Sequence, residues 1–109
     1  MIYDVLTSSL FEKEFKKICK KHKSAKDDII SLVNKLKENP HLGSSIGKDC
    51  YKIRIAISSK GKGKSSGARI ITRVRIVNKT VYLLSVYDKS EQDSISDKEL
   101  ESVLRSLEA

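Results

Sequence analysis

The sequence predicts an α+β domain in the order β-α-α-β-β-β-α, with a mainly antiparallel sheet and the helices packed on one of its faces. Three observations predict it. Two segments with helical apolar spacing follow one another between residues 8 and 39, three strand-like segments crowd between residues 50 and 89, and one more helical pattern closes the chain. Helices grouped ahead of strands, not alternating with them, argue against a parallel doubly wound sheet. The 109 residues suffice for a single domain, taken as residues 1–109, with a modest core.

"IYDVL" (2–6) alternates apolar and polar residues and reads as a short strand. "SSLFEKEFKKICKKHK" begins with a serine cap and places Phe11, Phe15, Ile18 and Cys19 at helical spacing. A second helix starts near Ser24, with Ala25, Ile29, Leu32, Val33 and Leu36 on one face, and stops at Asn39-Pro40 because proline cannot continue the hydrogen-bond ladder. "HLGSSIGKD" reads as a loop. Strands follow at "CYKIRIAI" (50–57), "ARIITRVRIV" (68–77) and "VYLLSVYDK" (81–89), and Asn78-Lys79-Thr80 is short enough to join the last two as a hairpin. In "SDKELESVLRSL", Ser96 and Glu99 have the spacing of a capping box, and Leu100, Val103, Leu104 and Leu107 form an apolar stripe.

Net charge is +8, which points to acidic partners, but its distribution says more. Residues 50–89 hold ten bases and a single acid, Asp88, for a net +9, and the rest of the chain carries −1. Side chains alternate across a strand, so Lys52, Arg54, Arg69, Arg73, Arg75, Tyr87 and Lys89 fall on one side once the apolar sets, including Tyr82, Leu84 and Val86, face the helices. A register slip would bury several of these charges. Like charges on neighbouring strands repel, so a sheet that keeps so many of them suits an anionic ligand: nucleic acid, a ribosome or an acidic protein.

"KGKGKSSGAR" (60–69) contains "GKS", the ending of a phosphate-binding P-loop. That motif needs a glycine at position 58 and a helix after the loop; the chain has Ser58 and a strand. Lys60, Lys62 and Lys64 are read instead as a basic lip suited to a phosphate backbone. His22 and His41 lie off the basic face and are read as surface or cap residues. Cys19 and Cys50 form no CxxC pair; Cys19 belongs to the apolar stripe, and Cys50 shares the basic face as a strand-end thiol or, less favoured, a nucleophile. Asp27-Asp28 is read as first-turn helix charge, and no residue set has metal-ligand spacing. No stretch is long enough to span a bilayer and no signal peptide is evident, so the cytoplasm is the expected location.

The element order, together with "CYKIRI", "GKSSGARII" and "VYLLSVYDKSEQDSISDKEL", resembles the RelE/ParE superfamily of bacterial type II toxins, with the RelE/HigB branch nearest. The likeness spans nearly the whole chain. It implies the RelE-like microbial ribonuclease fold and a toxin that cleaves mRNA without metal or cofactor, in many relatives only on the ribosome (rRNA). It also implies a cognate antitoxin as partner and no membrane; the free toxin is expected to be a monomer. By position, Lys52 and Arg54 match the family's basic pair, Arg69 its arginine, and Lys89 a basic residue on the last strand. The family's catalytic tyrosine falls here at Ile95, and Tyr87 offers a replacement from within the strand.

RNA cleavage of this kind needs a base for the 2′-hydroxyl, an acid for the departing 5′-oxygen and positive charge around the phosphorane. Lys52, among cations that ease release of its proton, suits the base; Arg69 suits bidentate contact with the phosphate; Tyr87 suits stacking or proton transfer, and Lys89 the leaving group. Two other readings stay open. One is a ParE-like toxin that poisons gyrase on the same fold, and the other a non-enzymatic RNA- or ribosome-binding module.

Overall fold

The computed structural model describes residues 2–60 and 67–108, without the side chains of Lys60 and Glu108. Its elements run β1 (Asp4–Thr7), α1 (Ser9–Lys21), α2 (Ala25–Glu38), β2 (Ser44–Gly47), β3 (Cys50–Ile55), a 3₁₀ turn (Ser58–Lys60), β4 (Ala68–Arg75), β5 (Thr80–Asp88) and α3 (Asp97–Glu108). The sheet order is β1-β5-β4-β3-β2. All neighbours are antiparallel except β1, which pairs with β5 in parallel. The α+β class and the order of the predicted elements stand, with β2 as an addition. "HLGSSIGKD" is therefore not wholly loop: Ser44 and Ser45 pair with Lys52 and Tyr51. Its four residues are all exposed, so no apolar alternation betrayed it.

The helices do not share one face. Phe11 and Ile18 of α1 and Ala25, Ile29, Leu32 and Leu36 of α2 pack with Ile53, Ile55, Ile70, Val74, Val81, Leu83 and Val86. Leu100, Val103 and Leu104 of α3 cover the opposite face, against Cys50, Ile71, Leu84 and Tyr87. This corrects the single-faced arrangement. Ile71 and Leu84 had no place on a purely polar face, and burying such side chains is the main gain available to α3's apolar stripe. The predicted capping box starts that helix: Glu99 N–H donates to Ser96 Oγ at 3.1 Å, and Ser96 N–H reaches back to Glu99 Oε1 at 3.4 Å.

A β-bulge corrects the parity assigned to the last strand. Ile71 lies opposite Ser85 while Thr72 lies opposite Leu83, which leaves Leu84 as the extra residue. Val81 and Leu83 therefore face α1 and α2, and Tyr82 and Leu84 face α3's side. Past the bulge the expected parity returns, with Val86 inward and Tyr87 on the far face. An inserted residue shifts the alternation by one, and nothing in "VYLLSVYDK" marks where.

The bulge is held by α1. Ser8, the helix N-cap, accepts from Phe11 N–H at 3.0 Å and donates its hydroxyl to the Leu84 carbonyl at 2.7 Å. Glu14, two turns on, accepts from Ser85 Oγ at 2.7 Å and Val86 N–H at 3.2 Å. β1 reaches only as far as Leu83, so the rest of β5 is an open edge whose backbone groups need partners. Burial pushes the Glu14 carboxyl above its ordinary range, a rise only partly opposed by the two hydrogen bonds from Ser85 and Val86.

Candidate functional site

The register of β3, β4 and β5 places Arg54, Arg69 and Tyr87 side by side in one cross-strand row. Lys52 precedes Arg54 by two residues and Lys89 follows Tyr87 by two, so both extend the same side. The row begins where β4 enters the sheet beside the end of β3. A Cβ on Gly67 would collide with the Ile55 carbonyl oxygen, and the Gly67 carbonyl accepts Lys89 N–H at 3.0 Å. Gly67 thus lets the strand start pass between its neighbours, two residues before Arg69 and level with Lys89.

Arg69 is only 2% exposed, and its Nη1 donates to the Ala68 carbonyl at 3.2 Å. Tyr87, its cross-strand partner, is 4% exposed. The Tyr87 hydroxyl is buried and has no hydrogen-bond partner among the described residues. Burial pushes the phenol pKa up; the Arg69 charge opposes this, while Asp93, Glu14 and Glu99 add to the rise. Tyr87 is therefore protonated at neutral pH, a donor without an acceptor among the described residues.

After β5 the chain turns on Asp88. Its Oδ1 accepts from Ser90 N–H at 2.9 Å and Ser90 Oγ at 2.7 Å, and its Oδ2 lies 2.9 Å from His22 Nε2 at the end of α1. The Asp88 carbonyl accepts Glu91 N–H at 3.0 Å and Gln92 N–H at 3.1 Å. This turn brings Asp93 back onto Lys89, with Oδ1 2.6 Å from Nζ. The hydrogen bond and charge of Lys89 hold the Asp93 carboxyl below its ordinary range, and Lys52 adds to that.

Lys52, Arg54, Arg69, Tyr87 and Lys89 are therefore brought together. Arg73 is not among them: it borders a hollow beside α3 with Lys48, Glu101, Leu104 and Arg105. Arg75 lines another hollow, at the hairpin end, with His41, Tyr51 and Asn78. Lys62, Lys64 and the Lys60 side chain lie outside the described residues. Cys50 is buried under α3, and burial pushes its thiol up despite the charge of Arg73, so the nucleophile option is set aside. Ile95, where the family's tyrosine would fall, packs against α3's apolar cluster. His22 does end its helix, as expected, but also holds Asp88.

Sequence reasoning missed Glu14, Asp88 and Asp93. Asp88 followed two residues later by Ser90 is an Asx-turn signal that was available in "YDKSE". Glu14 sits in a run of alternating charges, where no pattern separates a buried carboxylate from its solvated neighbours.

Comparison with known proteins places this geometry. A family model described as the RelE toxin of the RelE/RelB toxin–antitoxin system matches residues 9–107. The isolated E. coli RelE toxin is 23% identical, with 94% of this chain and 97% of that chain covered and a TM-score of 0.63. An arginine-to-alanine double mutant of E. coli RelE in the free state is 18% identical, covering 96% and 97%, at a TM-score of 0.65. The toxin in the intact E. coli RelBE toxin–antitoxin complex is 22% identical, covering 79% of this chain and 95% of that one, at 0.62. The structural likenesses establish the fold, and the family match over nearly the full length establishes the lineage: the chain belongs to the RelE toxin family.

Proposed function

We propose that this toxin is an mRNA endoribonuclease acting on translated message at the ribosome, without a metal ion, and that a cognate antitoxin neutralises it in the cytoplasm. The row formed by Arg54, Arg69 and Tyr87, flanked by Lys52 and Lys89, carries this reading. Lys52 takes the proton from the 2′-hydroxyl, and the freed oxygen attacks phosphorus. Arg69, fixed by burial, and Arg54 stabilise the phosphorane charge. As the P–O5′ bond breaks, the 5′-oxygen takes a proton from Tyr87, whose hydroxyl has no hydrogen-bond partner among the described residues, or from Lys89. The products are a 2′,3′-cyclic phosphate and a 5′-hydroxyl. Arg73 and Arg75 lie farther along the sheet, and with Lys60, Lys62 and Lys64 they are assigned to backbone contacts.

The antitoxin partner is inferred from the family and from the E. coli RelBE complex. A gyrase-poisoning reading on the same fold has no use for a buried guanidinium beside a phenol with no hydrogen-bond partner among the described residues. Primer extension on a reporter mRNA, with and without active ribosomes, tests the proposal. Codon-linked cuts are expected on induction, and K52A and R69A should abolish them. Intact message together with DNA damage would overturn the nuclease reading, and parental cutting by both variants would overturn the site.

A further inference from the structure

Asp93 is an acid in the middle of a basic site. Its carboxylate bonds Lys89 Nζ at 2.6 Å, and its charge acts on Tyr87 and is acted on by Lys52. Three of the five grouped residues therefore feel one carboxylate. Its backbone is brought to Lys89 by a hydrogen-bonded turn. The turn that returns it is built by Asp88, whose two carboxylate oxygens and carbonyl are bonded to His22, Ser90, Glu91 and Gln92. Gln92 Nε2 then donates to the Ser94 carbonyl at 2.9 Å. Helix capping does not explain the position of Asp93, because Ser96 and Glu99 perform that role three residues later. The Asp93 side chain is 92% exposed, so it can swing into solvent with little resistance.

We propose that Asp93 is a built-in anion occupying the phosphate place beside Lys89 in the free protein, and that an RNA phosphate displaces it on binding. This rests on the RNA reading of the site and deepens it. An incoming phosphate must first break an existing pair, so affinity for stray RNA is held down. Only a ligand supplying further contacts along the row, to Arg54, Arg69 and Tyr87, recovers the difference. Asp93 is in this sense a specificity residue, discriminating against a lone phosphate.

The test is fluorescence anisotropy with a mixed-sequence single-stranded 2′-O-methyl RNA, which lacks the attacking hydroxyl, at several salt concentrations. The variants are D93N, D93S and, as a control of equal charge on the opposite layer, E38Q. An exposed ion pair of this kind has a strength corresponding to about two- to five-fold in affinity. Both Asp93 variants should tighten binding by that amount at low salt. Their plots of log affinity against log salt should also steepen by about 0.7, the contribution of one more uncompensated phosphate contact on a single strand. E38Q should change neither quantity to the same degree. Unchanged or weaker binding by D93N and D93S, or an equal gain in E38Q, overturns the inference while leaving the RNA site intact. A wild-type protein that does not bind the RNA at all overturns the RNA reading, and the inference with it.

Discussion

Replacing Tyr87 by phenylalanine removes a hydroxyl that is buried without a hydrogen-bond partner among the described residues. Such a group costs folding free energy and returns none, so Y87F is expected to melt at the same temperature as the parent or slightly above it. Its cleavage of translated mRNA should nevertheless fall by about 10²-fold or more, the usual contribution of a positioned proton donor. Melting curves and primer extension on the same preparation check the pair of outcomes, and a loss of stability without loss of cleavage would remove Tyr87 from the chemistry. At this scale the sequence was informative. Parity alone put Arg54, Arg69 and Tyr87 on a common side, because charges so rarely tolerate the alternative. It could not place Asp93, whose approach to Lys89 depends on the turn bonded to Asp88.

At the scale of elements, α1 and β5 depend on each other through Glu14. E14A strands the Val86 N–H and the Ser85 hydroxyl and should cost about 1–3 kcal/mol, whereas E14Q keeps an acceptor oxygen and should cost less. The titration of Glu14 has a definite sign. Its folded-state value lies above the ordinary 4.5, so between 4.5 and that raised value the native state binds more protons than the unfolded one. Glu14 therefore makes the fold more stable as pH falls through this window and less stable as it rises. Urea unfolding of wild type and E14Q as a function of pH should show the difference shrinking in the variant. The sequence made α1, α2, α3 and four of the five strands legible, because each carries its own apolar period. β2 has no apolar face, and the bulge at Leu84 is a defect in the period. α3's side of the sheet was misjudged because Cys50 and Ile71 were outnumbered by the charges around them, and because the bulge turns Leu84, assigned by parity to the other face, towards α3.

At the scale of the whole molecule, Lys52, Arg54, Arg69 and Lys89 gather at one end of a sheet face whose other end lies under α3. The apolar stripe of α3 and the basic row thus divide one face between apolar packing and charge. The parallel pairing of β1 with β5 has a bearing on how such a protein can be made safely. Ser8 and Glu14 find their partners 76 and 71 residues further on, and contacts of such separation form late and slowly. Until β5 is made, Ser8 and Glu14 lack their β5 partners and β4 has no neighbour on the β5 side. A chain truncated after Lys79 is accordingly expected to show no cooperative melt by circular dichroism and no cleavage of mRNA; a folded, cutting fragment would refute this. A toxin wired in this way is harmless as a nascent chain, and becomes dangerous only when nearly all of it has left the ribosome that made it.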